Sequence, residues 1–138
     1  MVVRTSVTPY LSVKGATEAL AFYRRAFGAD VTDQMSEEDG RIGHAEIRIG
    51  DASVYLADEH PEIGFLSPST LGGSGVMIEL TVEDVDAVIE RAVEAGGTLA
   101  RPVADQDYGW RNGKLVDPFG HTWLVSSPIA ERQADDEH

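Results

Sequence analysis

The chain repeats one pattern twice, and the two copies begin 69 residues apart, which is half of its 138 residues. Each copy has a strand-like segment, a helical segment and then three more strand-like segments. The first helix lies between Ser12 and Gly28, and the second lies between Thr81 and Gly96. In both, apolar residues recur at spacings of three and four, which is typical of an amphipathic helix. The chain is therefore predicted to be an α+β protein built from two βαβββ modules.

The strand boundaries follow from alternating or β-branched segments and the turns between them. The predicted strands are 6–13, 29–35, 43–49 and 53–57 in the first module, and 76–82, 98–103, 114–116 and 121–126 in the second. Asp84 is predicted to cap the second helix, and Gly28 to end the first. The tetrapeptide 117–120 has the residue types of a type I turn.

These elements predict a single domain over residues 1–138. Module one spans residues 5–58, a linker spans 59–75, module two spans 76–127, and an acidic tail spans 128–138. The linker is rich in Gly and Pro, so we expect it to be irregular rather than helical. The tail is mostly charged, so we expect it to fray.

Charge and composition narrow the class of protein. The chain has 11 Lys and Arg against 24 Asp and Glu, a net charge of −13, and it has no Cys. The absence of Cys excludes disulfides and thiolate sites. The negative charge argues against nucleic acid or an anionic membrane surface as a partner. We find no membrane-spanning or secretory segment, and we expect a soluble cytoplasmic protein with a small-molecule ligand.

Five short segments in register resemble one known family. They are residues 9–13, 22–28, 44–47, 82–86 and 117–121. In this order they are similar to the vicinal oxygen chelate superfamily, and to its glyoxalase/bleomycin-resistance branch in particular. The resemblance implies two open half-barrels with the cavity inside the curved sheets and the helices outside. It also implies a homodimer.

The same resemblance implies where a divalent metal would be held, with one ligand from the first strand and one from the last strand of each module. These positions fall on Thr8, Leu56, Met77 and Leu124. Three of the four are apolar, and a divalent metal needs His nitrogens or carboxylate oxygens. We therefore expect neither a metal nor another cofactor in this chain.

His44, Glu46 and Arg48 are two residues apart on one strand, so they share a face. They form either a polar wall of the cavity or a solvated outer face. A displaced metal site made of His44, Glu46 and Glu79 is an alternative, and His44 is a candidate acid or base.

Glu79 lies between two apolar residues, on the face that it shares with Met77. If that face lines the cavity, desolvation suits the carboxylate to act as a base or to bind a cation. The alternative is that Glu79 pairs with an Arg or faces water.

Apolar residues and hydroxyl groups on the predicted strands could line a pocket for a flat organic ligand. The alternative is that these residues pack into a closed core. The segment 105–111 adds two aromatic residues and an arginine, which suit stacking, an interface or a loop that covers the cavity. The predicted ligand-binding residues are Tyr10, His44, Glu46, Leu56, Met77, Glu79, Tyr108, Trp110, Arg111 and Leu124.

Two functions fit this set of residues. The first is a metal-free binding protein that sequesters an aromatic or cationic small molecule, such as an antibiotic. The second is a lyase, isomerase or dioxygenase-type enzyme that uses the displaced metal site or Glu79 and His44 as acid and base. An accessory module that acts only through protein contacts is a third alternative.

Overall fold

A computed structural model describes residues 1–129 of the chain. The order of elements confirms the predicted α+β architecture of two βαβββ modules. The strands are β1 (Tyr10–Val13), β2 (Asp30–Ser36), β3 (Ile42–Ile49), β4 (Ala52–Asp58), β5 (Met77–Thr81), β6 (Thr98–Asp105), β7 (Trp110–Val116) and β8 (Thr122–Pro128). The helices are α1 (Ala16–Phe27), α2 (Pro68–Leu71) and α3 (Val85–Glu94).

Each module forms its own four-stranded sheet with the same topology. Sheet one has the order β1-β4-β3-β2 and sheet two the order β5-β8-β7-β6. The first strand of each module runs parallel to the last, and the other pairs are antiparallel. One face of each sheet carries the helices, and we call the other its open face.

The helix ends follow the predicted signals. Asp84 caps α3, with its side chain accepting a hydrogen bond from the Ala87 backbone N–H at 3.1 Å. Gly28 ends α1 with φ of 69°, a conformation that costs glycine little. The start of α1 is held from a distance, because Asp58 at the end of β4 accepts hydrogen bonds from the backbone of Gly15 and Ala16.

The core lies between the helices and the two sheets, and it runs through both modules. On α1, Phe22, Tyr23 and Phe27 are buried. The rings of Phe27 and Tyr23 pack at a tilt against Trp123 of β8, with centroids 4.7 and 5.5 Å from the Trp123 ring. The two modules therefore share one core.

The linker differs from the expectation of an irregular segment. It contains a short 3-10 helix, Pro61–Ile63, and the single helical turn of α2. Both begin with a proline, whose fixed φ suits the first position of a helix. The predicted tail lies outside the described residues, apart from Pro128, which ends β8, and residue 129. Within residues 1–129, no helix combines the length and apolar character needed to cross a membrane.

Candidate functional site

Four ring-bearing side chains meet at the open face of sheet one, and we call them the aromatic cluster. They are Tyr10, His44, Tyr55 and Phe65. Tyr10 lies opposite Tyr55 across β1 and β4, and Tyr55 lies opposite Glu46 across β4 and β3. His44 is two residues from Glu46, so strand alternation places it on the same face.

The aromatic cluster is held by one short hydrogen bond and by edge contacts between rings. The Tyr10 hydroxyl oxygen lies 2.6 Å from Nδ1 of His44. The Tyr10 ring meets the rings of Tyr55 and Phe65 edge-on, each at 5.6 Å between centroids. Tyr10 is still 46% exposed, so much of its ring surface is available to a ligand.

A cavity of about 410 Å³ opens beside Tyr10. Glu37, Ala57, His60 and Phe65 are among its other lining residues. Its volume is within the range of pockets that hold small organic molecules. It has aromatic and aliphatic walls with a carboxylate and an imidazole among them.

One wall of the cavity is a segment that we call the strap, residues 59–66. Arg41 of the β2–β3 connection donates two hydrogen bonds to the Glu62 carboxylate, at 3.1 and 2.8 Å. His60 is buried, with Nε2 3.0 Å from Oε1 of Glu37. These contacts fix the strap to sheet one and hold Phe65 against Tyr10.

The pKa of Tyr10 determines what the Tyr10–His44 pair can do. Partial burial raises this pKa above its ordinary value, and the neighbouring Tyr55 raises it further. The phenol therefore stays protonated at neutral pH and can donate its proton to Nδ1 of His44. A neutral imidazole in that arrangement carries its own proton on Nε2, so it can donate to a ligand.

The open face of sheet two is more polar. Met77, Glu79 and Leu124 lie on it, since Glu79 is two residues from Met77 and opposite Leu124 across β5 and β8. Ser126 donates a hydrogen bond to the Glu79 carboxylate at 3.2 Å. Glu79 is exposed, so it faces water, which was the alternative to a desolvated base.

Tyr108 and Trp110 lie at one end of this face. Trp110 begins β7 instead of belonging to a loop, and the β6–β7 connection is only residues 106–109. Tyr108 is 60% exposed, and its hydroxyl accepts a hydrogen bond from the Asn112 amide at 3.1 Å.

The structure removes two residues from the predicted ligand-binding set. Leu56 is fully buried in the core, because Tyr55 takes the open face and its neighbour must point to the helices. Arg111 is also on the helical face of its sheet, where it makes ion pairs with Asp86 of α3 and Asp105. The expectation for Leu56 was wrong by one residue of strand alternation, and Arg111 was expected in a loop but belongs to β7.

The register also corrects the metal positions that the resemblance implied. The position 69 residues before Leu124 is Tyr55, not Leu56, and Thr8 lies before β1 instead of within it. Thr8, Tyr55, Met77 and Leu124 include no imidazole and no carboxylate, so they do not fit a divalent metal.

The displaced set of His44, Glu46 and Glu79 is not assembled either. Glu46 is hydrogen-bonded to Thr32 at 2.7 Å, while His44 meets Tyr10 and Glu79 meets Ser126 on the other sheet. Within the described part of the chain, no group of three or more His, Asp or Glu side chains is placed to hold a metal ion.

Comparison with known proteins places this geometry in a family. The model of the Glyoxalase/Bleomycin resistance protein/Dioxygenase superfamily matches residues 5–125. The chain belongs to this superfamily. An uncharacterized protein of Mycobacterium tuberculosis is 39% identical to it over 137 residues, which covers 97% of this chain and 81% of the relative.

Solved structures share the same superfamily fold. A gene product of Arabidopsis thaliana superposes with a TM-score of 0.72 at 29% identity, covering 90% of this chain and 99% of that one. TioX from Micromonospora has a TM-score of 0.69 at 22% identity, covering 89% and 95%. The fosfomycin resistance protein FosX of Listeria monocytogenes has a TM-score of 0.72 at 14% identity, covering 96% and 99%. The last two comparisons show the fold alone.

Sequence reasoning missed Tyr55 and Phe65 as site residues. The 69-residue repeat contained the signal for Tyr55, because it relates Leu124 to position 55. Phe65 has no such signal, since it lies in the linker between the two copies and reaches Tyr10 only through the fold of the strap.

Proposed function

We propose that the protein binds a planar organic molecule on the open face of sheet one without a metal. The observation that carries this proposal is the half-exposed ring of Tyr10, which lies among Tyr55, Phe65 and His44 beside a cavity of about 410 Å³. Aromatic rings in such a wall stack on a flat ligand, and the Tyr10–His44 pair supplies polar contacts that orient it.

The charge of the site favours a cationic or neutral aromatic ligand over an anionic one. Glu37 lines the cavity, and Glu46 is on the same open face. Ring faces attract cations, and the net charge of −13 attracts them at longer range. The biological role that we propose is sequestration of an aromatic or cationic compound such as an antibiotic.

A panel of cationic and planar aromatic compounds tests this proposal by thermal shift, with the protein treated with chelator beforehand. Compounds that bind should stabilise the wild type, and Tyr10→Leu should weaken their binding by about tenfold or more. Tyr108→Leu is the matched control, because Tyr108 is an exposed tyrosine in the β6–β7 connection, beside the other sheet. A panel with no stabilising compound, or equal binding by Tyr10→Leu, contradicts the proposal.

A second candidate function is acid–base catalysis on a small carbonyl or enolisable substrate. The contact that favours it is the 2.6 Å hydrogen bond between Tyr10 and His44. The phenol would hold the imidazole in the tautomer with the proton on Nε2, and His44 would donate that proton to a substrate oxygen. Glu79 is bonded to Ser126 on the other sheet, so His44 would work with Tyr10 and not with Glu79.

Turnover assays separate this candidate from a pure binding protein. Tyr10→Phe keeps the ring but removes the hydroxyl, so ligand binding should persist while turnover falls. Unchanged turnover in both Tyr10→Phe and His44→Gln would exclude this mechanism.

A further inference from the structure

Two basic side chains lie side by side on the open face of sheet two. Arg101 of β6 is directly opposite Lys114 of β7. Lys114 shares its face with Asn112, two residues away, while the intervening Gly113 faces Val103 on the helical side. Like charges placed directly opposite each other destabilise a sheet, so this pair needs an explanation.

Two other arginines in the described part of the chain are neutralised by carboxylates. Arg41 pairs with Asp39 and Glu62, and Arg111 pairs with Asp86 and Asp105. Within residues 1–129, neither Arg101 nor Lys114 has an ion pair with a carboxylate. Among these described residues, two cations that lie opposite each other across β6 and β7 thus have no carboxylate counter-ion.

The guanidinium of Arg101 is positioned by neutral groups. Arg101 donates a hydrogen bond to the side-chain oxygen of Asn112, and the Asn112 amide in turn donates to Tyr108. Asn112 is 1% exposed, so this support is fixed within the sheet. Nε of Arg101 is buried, and it has no hydrogen-bond partner in the described part of the chain. Within residues 1–129, the guanidinium therefore makes one side-chain hydrogen bond, to Asn112, of the five that its N–H groups could donate.

We propose that Arg101 and Lys114 form an anion-binding subsite on the open face of sheet two, for a carboxylate, phosphate or phosphonate group of a small molecule. Arg presents a planar fork of donors that matches such oxyanions, and Lys adds a point charge beside it. Binding of the anion relieves the repulsion between the two cations. Tyr108, on the same network, supplies an exposed ring at the edge of the subsite.

Glu79 is an acidic residue in register with Lys114 across the strands of sheet two. It lies opposite Leu124, which lies opposite Lys114, so one strand separates the carboxylate from the lysine. The Ser126 hydroxyl donates to Glu79 and stabilises its negative charge in place. A bound anion is therefore expected on the Arg101 side of Lys114, away from Glu79.

Titration with inorganic phosphate, methylphosphonate and acetate tests the subsite, at constant ionic strength set with chloride and with amide chemical shifts as the readout. At least one probe should give saturable shifts centred on β6 and β7. Arg101→Gln and Lys114→Gln should each weaken it by about tenfold or more, as for a lost hydrogen bond to a charged group. If Arg101→Gln does not fold, Lys114→Gln carries the test alone.

Arg24→Gln and Lys14→Gln are the matched controls, because they remove the same charges from exposed positions. They should bind the probe like the wild type. Shifts that do not saturate for any probe, or equal weakening in the controls, overturn the proposal. The subsite is independent of the aromatic cluster, so Lys114→Gln should still bind the planar ligand, and failure of one proposal leaves the other standing.

Discussion

The hydroxyl of Tyr23 donates a 2.5 Å hydrogen bond to Oδ2 of Asp117, which joins helix α1 of module one to the β7–β8 turn of module two. The same carboxylate accepts from the indole N–H of Trp123 and from the backbone N–H groups of Phe119 and His121. Asp117 is 3% exposed, so one buried carboxylate organises the turn and the contact between the modules.

Removing this contact should destabilise the whole chain. We expect Tyr23→Phe to lower the free energy of unfolding by about 1–3 kcal/mol, because a buried hydrogen bond to a charged group is lost. Asp117→Ala leaves four donors without their acceptor, and its cost should be about 3 kcal/mol or more. Urea unfolding measures both. Asp107→Ala, at an exposed loop position, is the control, and an equal loss of stability there would contradict the account.

The strap should loosen in acid because of Glu62. The hydrogen bonds from Arg41 lower the Glu62 pKa from 4.5 to about 2. A lowered pKa in the folded state means that the stabilisation is present above about pH 4.5 and is lost as the pH falls through about 2. The difference in free energy of unfolding between wild type and Glu62→Gln should therefore shrink over this range. When Arg41→Gln is also present, the effect of Glu62→Gln on the free energy of unfolding should not depend on pH over this range. If the pH dependence persists, Arg41 is not its cause.

Purified protein should not take up a stoichiometric divalent metal. The positions that the family resemblance implies hold Thr8, Tyr55, Met77 and Leu124, which lack the nitrogen and carboxylate donors that such ions prefer. Elemental analysis after incubation with nickel, zinc, manganese or iron(II), followed by desalting, measures this. One bound metal per chain that disappears in His44→Ala would show that a displaced site exists after all.

We also propose that the protein forms a homodimer. Among residues 1–129, the outer strands β2 and β6 each have one edge that pairs with no other strand, and each has an exposed apolar side chain, Met35 and Leu99. Sheet edges of this kind are commonly covered by a partner. Light scattering coupled to size exclusion should give about twice the chain mass of 14.9 kDa. A mass of one chain across the accessible concentration range would refute the proposal.

Much of the fold could be predicted because local signals and the repeat agree. The helix cap at Asp84 and the turn that begins at Asp117 each depend on residue types within a few positions of one another, so both can be recognised from the sequence. The start of β1 was misplaced because strand-like residues continue on both sides of Pro9, which has no backbone N–H to donate to a sheet. The strand instead begins at Tyr10.

The site was harder to predict, since strand alternation makes a one-residue error decisive. Leu56 was placed on the wrong face for that reason, and Arg111 was expected in a loop although it lies in β7. Phe65 contacts Tyr10 although the two are distant in sequence, and Arg101 pairs with Lys114 across an irregular strand pair. Neither contact therefore has a local sequence signature. Strand register and loop packing determine these contacts, and neither can be read from a single sequence.

The position of a bound ligand would show whether the open face of sheet one carries the binding site. A crystal structure of chelator-treated protein with the tightest compound of the aromatic and cationic panel would measure it. We expect the ligand in the cavity of sheet one, in contact with the rings of Tyr10 and Phe65, and with no metal between protein and ligand. A ligand held through a metal ion, or bound elsewhere with this cavity empty, would contradict it.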